Sequence, residues 1–177
     1  YGAAGAGLAE SQGVLDSVDI LTGTLGKALA SSGAFTLFKE SWRKDICINE
    51  AEEFIYSTFL SPASAAIATA AIKIIQKRPK RERHNFQERA RKFRRDLETI
   101  GWKVLGNDSP IVPILTGSSN ETMKLAKALK NEAIQVGAIR APTVPKEQAR
   151  IRISLKSNLE ECDFFKLINI LKLANNA

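Results

Sequence analysis

The chain holds one histidine, one methionine, two cysteines, two tryptophans and two tyrosines in 177 residues. Any histidine-based metal site or nucleophile would have to rest on His84 alone. Cys47 and Cys162 lack the spacing of a zinc site and the density of a secreted disulfide scaffold, so a reduced, cytoplasmic setting is the simpler expectation. No apolar run reaches the ~18 residues of a membrane-spanning helix. The small-residue stretch at the start lacks the basic region of a signal peptide. Gly2, Gly5 and Gly7 do not follow a strand and miss the spacing of a dinucleotide-binding turn, so they read as a flexible loop beside a site.

An excess of charge of one sign is absent outside one segment. Ten lysines and arginines between Lys77 and Arg95 meet only Glu82 and Glu88, a surplus larger than the net +7 of the whole chain. Such a run invites a nucleic-acid reading. Within it, however, Phe86, Ala90, Phe93, Leu97 and Ile100 recur at helical spacing, which predicts an amphipathic helix with one core face and one basic solvent face. Nucleic acid is therefore the lesser reading, and attraction of an anionic acyl carrier or coenzyme A a minor one.

What is present is ordinary for a globular protein: 44% hydrophobic and 25% charged residues, in a chain long enough to bury about 70% of its unfolded surface. Short apolar runs predict strands at 18–21, 36–38, 54–56, 102–105, 111–116, 137–139 and 149–155. Ser61 and Pro62 open a helix to Lys77 that is apolar nearly all round and so should be buried at a domain or subunit contact. Further helices are expected at 80–100, 120–136 and 159–174, with a turn or short helix at 40–48, and Gly101 and Gly137 fit helix C-caps. Pro79 marks the expected domain boundary, giving residues 1–78 and 79–177. The later part reads as a small α/β domain with a mainly antiparallel sheet.

The most informative stretch is Val18 to Gly33, V-D-I-L-T-G-T-L-G-K-A-L-A-S-S-G. It sets Lys27 after an apolar run and a small-residue turn. A lysine held among apolar groups loses hydration, favours the neutral amine and can act as a nucleophile. This segment resembles the pyridoxal-phosphate lysine segment of the α-oxoamine synthases, which condense an amino acid with an acyl thioester. I-Y-S-T-F-L-S-P at Ile55 to Pro62 and A-I-R-A-P-T-V-P-K-E-Q-A-R-I-R-I-S at Ala138 to Ser154 resemble two further family segments in the same order.

The resemblance implies the C-terminal half of a PLP-dependent transferase: the last portion of the large cofactor-binding domain plus a small C-terminal α/β domain. The active site would be shared across a homodimer. It implies that Lys27 binds pyridoxal 5'-phosphate and moves protons at the substrate α-carbon. Thr24 would hydrogen-bond the phosphate, although a turn-stabilising hydroxyl is the plain alternative. Thr58, with Ser57 beside it, would reach the phosphate from the partner subunit, or else form a capping cluster before Pro62.

Arg150 and Arg152 share a strand face, so periodicity leaves both open as a carboxylate clamp; the resemblance selects Arg152. Thr143 would lie near the same substrate pocket, unless the two prolines around it simply make a rigid loop. Tyr1 stands where the family has a histidine after its pyridine-pairing aspartate, and its hydroxyl could donate to the cofactor. Within the family, A-I-R-A-P-T-V-P resembles the members that join L-alanine to a pimeloyl thioester. G-T-L-G-K-A-L resembles the glycine-condensing members at least as well, and a catalytically inactive fragment is a third possibility. The first is adopted because the later segment lies nearer the substrates.

Overall fold

The structure is a computed structural model that describes residues 1–175. It divides into two compact units, one ending at Arg83 and one beginning at His84.

In the first unit a short helix α1 (Leu8–Ser11) follows the glycine-rich loop. The Glu10 carboxylate accepts hydrogen bonds from the backbone N–H groups of Ala4 (2.7 Å) and Ala6 (2.8 Å) and folds that loop back on itself. These donors hold the Glu10 carboxyl below the usual carboxylate range. A lowered native pKa means that the stabilisation is present above the unfolded value and is lost as pH falls through the native one. The Ala4 and Ala6 amide resonances should therefore move together below the usual glutamate titration range, which an NMR titration would read. Movement at the unperturbed glutamate value would contradict the contact.

Strands β1 (Ile20–Thr24) and β2 (Ala34–Phe38) form an antiparallel hairpin, with Ile20 opposite Phe38 and Thr24 opposite Ala34. The Phe35 ring crosses Gly23 so closely that a Cβ there would lie 2.3 Å from the ring. Next come α2 (Ser41–Glu50), α3 (Glu52–Ile55) and α4 (Pro62–Lys77). The sequence-expected strand at 54–56 is instead the end of α3. Glu52 and Glu53 favour the positive end of that short helix, and Phe54 turns to meet Phe59 edge-on at 6.1 Å between ring centres.

Helix α4 has the expected bounds, and Ser61 caps it by accepting from Ser64 N. Among the described residues only Ala68 of this helix is buried, and Ile67 and Ile74 are half exposed, on the helix expected to lie at a domain or subunit contact. A helix apolar on all sides needs neighbours on all sides. The described residues of this unit do not surround it.

In the second unit the apolar stripe of α5 (Lys80–Thr99) is as its spacing predicts, with Ala90, Phe93 and Leu97 buried and Phe86 partly so. Strands β3 (Ile111–Gly117), β4 (Gly137–Ile139) and β5 (Ala149–Ser154) form an antiparallel sheet in the order β3-β5-β4. Val112, Ile114, Ile151 and Ile153 point from its inner face into a core completed by α5, α6 (Ser119–Asn131) and α7 (Glu161–Asn175). This is the expected small α/β layer structure.

Three local expectations fail. Residues 102–105 contribute a single bridge, Val104 to Ile114, flanked by backbone bonds from Leu105 N to the Pro113 carbonyl and from Leu115 N to the Lys103 carbonyl, and Trp102 donates from Nε1 to the Leu171 carbonyl at 3.0 Å. Helix α6 starts on a Ser118–Glu121 capping box and stops at Asn131, five residues early, with Ala133 in the left-handed region at φ 62°. Gly137 is therefore a strand residue and no helix cap, whereas Gly101 at φ 90° does follow the end of α5.

The basic run also differs from a simple solvated face. Arg94 is buried and donates to the carbonyls of Leu105 (3.0 Å), Ser109 (3.1 Å) and Ile111 (2.5 Å). Arg91 pairs with Asp108 and Glu88, and Arg89 bonds the Leu159 carbonyl and lies over the Phe164 ring. Much of the charge that suggested nucleic acid is thus spent on the fold.

Candidate active site

Lys27 sits in the turn between β1 and β2. Leu25, buried beneath the turn, donates from N to the Gly33 carbonyl at 2.9 Å and accepts at its own carbonyl from Ser31 N at 3.0 Å. The intervening residues are thereby pushed outward, with Ala30 N bonding the Lys27 carbonyl at 3.0 Å. Ser31 Oγ donates to the Ser64 carbonyl at 2.7 Å and ties the turn to the first turn of α4. That tie was not anticipated from the sequence, since Ser31 and Ser64 lie in different segments and only folding makes them neighbours.

The Lys27 side chain is exposed, and among the described residues no hydrogen bond or ion pair engages its amine. The apolar surroundings expected of it are absent here, because Ile20 is half exposed and the hairpin has no third strand among the described residues. Thr24 lies at the end of β1, on the same turn. Its Oγ1 accepts a hydrogen bond from Gly26 N at 3.3 Å. The hydroxyl proton is left to be donated to an anion.

Ser57 and Thr58 line a cleft of about 490 Å³ with Ser32, Gly33, Ala34 and Leu60, just beyond the lysine turn. Lys27 and Thr24 are not part of its lining. Tyr1 is partly exposed at the start of the Glu10-held loop, and its carbonyl accepts from Gly7 N at 3.1 Å. An uncommitted amine and a hydroxyl with a free proton thus share the lysine turn, while Ser57 and Thr58 lie in a separate cleft.

In the second unit Arg150 and Arg152 project from the outer face of β5, opposite the buried Ala149, Ile151 and Ile153. Arg150 donates to the Gln148 carbonyl (2.9 Å) and to Gln148 Oε1 (3.4 Å). Among the described residues no such partner engages the Arg152 guanidinium. Thr143 is exposed in the turn after β4, where its N–H donates to the Arg140 carbonyl at 3.0 Å. Among the described residues no group of His, Cys, Asp or Glu could hold a metal, and no helix is long and apolar enough to cross a membrane.

The description "Aminotransferase class I and II" matches residues 1–169. The chain belongs to the class I and II aminotransferase family. The cofactor indicated by that membership is pyridoxal phosphate. Among curated relatives, the 8-amino-7-oxononanoate synthase of Chromohalobacter salexigens is 40% identical over 81% of this chain and 37% of its own length. The putative 8-amino-7-oxononanoate synthase of Geobacillus kaustophilus is 35% identical over 98% of this chain and 44% of its own. Among solved structures, 8-amino-7-oxononanoate synthase from Francisella tularensis matches with TM-score 0.84 and 25% identity, covering 99% of this chain and 51% of that one. Sphingomonas wittichii serine palmitoyltransferase matches with TM-score 0.87 at 19% identity, covering 99% of this chain and 44% of that one, a likeness of fold. The chain thus spans about two fifths of the length of these curated relatives.

Proposed function

We propose that the chain is the lysine-bearing part of an 8-amino-7-oxononanoate synthase, which condenses L-alanine with a pimeloyl thioester, on coenzyme A or a carrier protein, with loss of carbon dioxide in biotin biosynthesis. The observation that carries this reading is the exposed, uncommitted Lys27 amine on a turn shared with Thr24. It gains weight in a chain 35–40% identical to proteins of that name.

When bound, pyridoxal phosphate supplies an electron sink for negative charge at the amino-acid α-carbon. Lys27 would hold the cofactor through its amine and would carry a proton to or from the substrate α-carbon. Thr24 donates its free hydroxyl proton to a phosphate oxygen. Thr58, with Ser57 beside it, donates to the phosphate across a homodimer interface, and Tyr1 donates to the cofactor ring oxygen. Arg152 grips the substrate carboxylate with its planar two-donor fork, and Thr143 borders the same pocket.

The shared site is supported by the apolar surface around Thr58. Tyr56 and Phe59, on either side of Ser57 and Thr58, are about four fifths exposed, and Leu60, Ile67 and Ile74 are also exposed. A patch of this kind marks an interaction surface. The free thiols Cys47 and Cys162 fit a cytoplasmic setting.

In an assay of the whole enzyme, turnover is expected with L-alanine plus pimeloyl thioester, and light scattering is expected to give a dimer. Turnover with glycine plus acetyl thioester alone would make the protein a glycine C-acetyltransferase instead. A fully active monomer would remove the role given to Thr58.

A further inference from the structure

A glycine commonly serves a left-handed turn or the end of a helix. At Gly137 the usual reasons do not apply. The residue lies within β4 and is not among the glycines with a left-handed φ. It does not end a helix either, since α6 stops at Asn131. What a side chain there would meet is Arg152: the three heavy atoms nearest an added Cβ are Arg152 Nε at 3.5 Å, Cβ at 3.6 Å and Nη2 at 3.7 Å.

The neighbouring arginine provides a built-in comparison. Arg150 and Arg152 leave the same strand on the same face, each with one β3 and one β4 residue opposite it. Opposite Arg150 on β4 is Ile139, a full branched side chain, and the Arg150 guanidinium turns back along its own strand to Gln148. Opposite Arg152 is Gly137, and the Arg152 guanidinium lies across β4 with no protein partner among the described residues. On the other side Arg152 faces Pro113 of β3, a rigid ring.

We infer that Gly137 is a positioning residue: its missing side chain is the space in which the Arg152 fork lies, free to receive the carboxylate of the substrate amino acid. The inference rests on the proposed role of Arg152. An alanine at this site adds only a Cβ at ordinary contact distance, whereas the branched carbons of valine fall where the guanidinium lies.

The test uses the whole cofactor-loaded enzyme and compares Gly137→Ala, Gly137→Val, Arg152→Ala and the Gly137→Val/Arg152→Ala pair. The readouts are KM and kcat for the amino acid and the acyl thioester, and the calorimetric Kd of L-alanine. Gly137→Val is expected to raise the amino-acid KM and Kd roughly tenfold, the scale of one lost charge-assisted contact. The thioester KM and kcat should stay within about twofold, Gly137→Ala should stay close to the parent, and Gly137→Val should add nothing further once Arg152 is already alanine.

A silent Gly137→Val beside a damaging Arg152→Ala would overturn the inference and leave the carboxylate role intact. A Gly137→Val effect that persists in full without Arg152 would also overturn it, because it would reflect general damage to the sheet. An Arg152→Ala enzyme with unchanged amino-acid binding would remove the carboxylate role itself.

Discussion

Lys27→Ala is expected to reduce turnover of the whole enzyme by roughly 10³-fold or more, because one side chain both captures the cofactor and moves the proton at the reacting carbon. Folding should be untouched. The Lys27 side chain is exposed and makes no contact that the hairpin depends on, since the turn is held by the backbone of Leu25, Ser31 and Gly33 and by the Ser31–Ser64 bond. The variant should therefore melt with the parent while releasing its cofactor on gel filtration. Thr24→Val should behave differently: turnover persists, but cofactor affinity falls roughly tenfold through loss of one hydrogen bond to a charged group. Equal damage from both substitutions would mean that the turn matters as a shape and Lys27 has no chemistry of its own.

Arg94→Leu is expected to cost the largest single loss of stability. A guanidinium that is 7% exposed donates to three carbonyls at the entry to β3, and leucine would leave all three part-buried acceptors without it. Buried polar groups left unpaired cost about 1–3 kcal/mol each, so a loss of about 3–5 kcal/mol is expected. For a domain of this size each kcal/mol lowers the midpoint by about 4–8 °C, so the melting temperature should drop by more than about 10 °C. Arg95→Ala, next along the helix and exposed, should change stability by less than about 0.5 kcal/mol. Similar melting of the two variants would show that the Arg94 bonds are dispensable.

That pair of arginines also shows what the sequence could and could not reveal. The helical spacing of Phe86, Ala90, Phe93 and Leu97 identified the core face of α5, because burial follows periodicity. Arg94 escaped notice because its acceptors are backbone carbonyls at 105–111, and no residue type encodes a carbonyl placed by a turn. The end of α6 was missed for a related reason: Ile134 and Val136 continue the apolar pattern, but they pack on the core from a loop after Ala133 has turned the chain.

An all-round apolar helix such as α4 specifies that it will be covered without specifying by which residues, so its covering partner was not legible. Lys27, Thr24 and the two arginines are the candidates that spacing and resemblance single out, and the three-dimensional structure adds a difference between the arginines: Arg150 is occupied by Gln148, and among the described residues Arg152 is not.

The central claim is that the Lys27 amine takes the cofactor. The most direct measurement is borohydride reduction of the whole pyridoxal-phosphate-loaded enzyme, followed by proteolysis and mass spectrometry. The reduced cofactor's mass is expected on the peptide carrying Lys27 and on no other. Stable modification at a different lysine, or none at all, would contradict it.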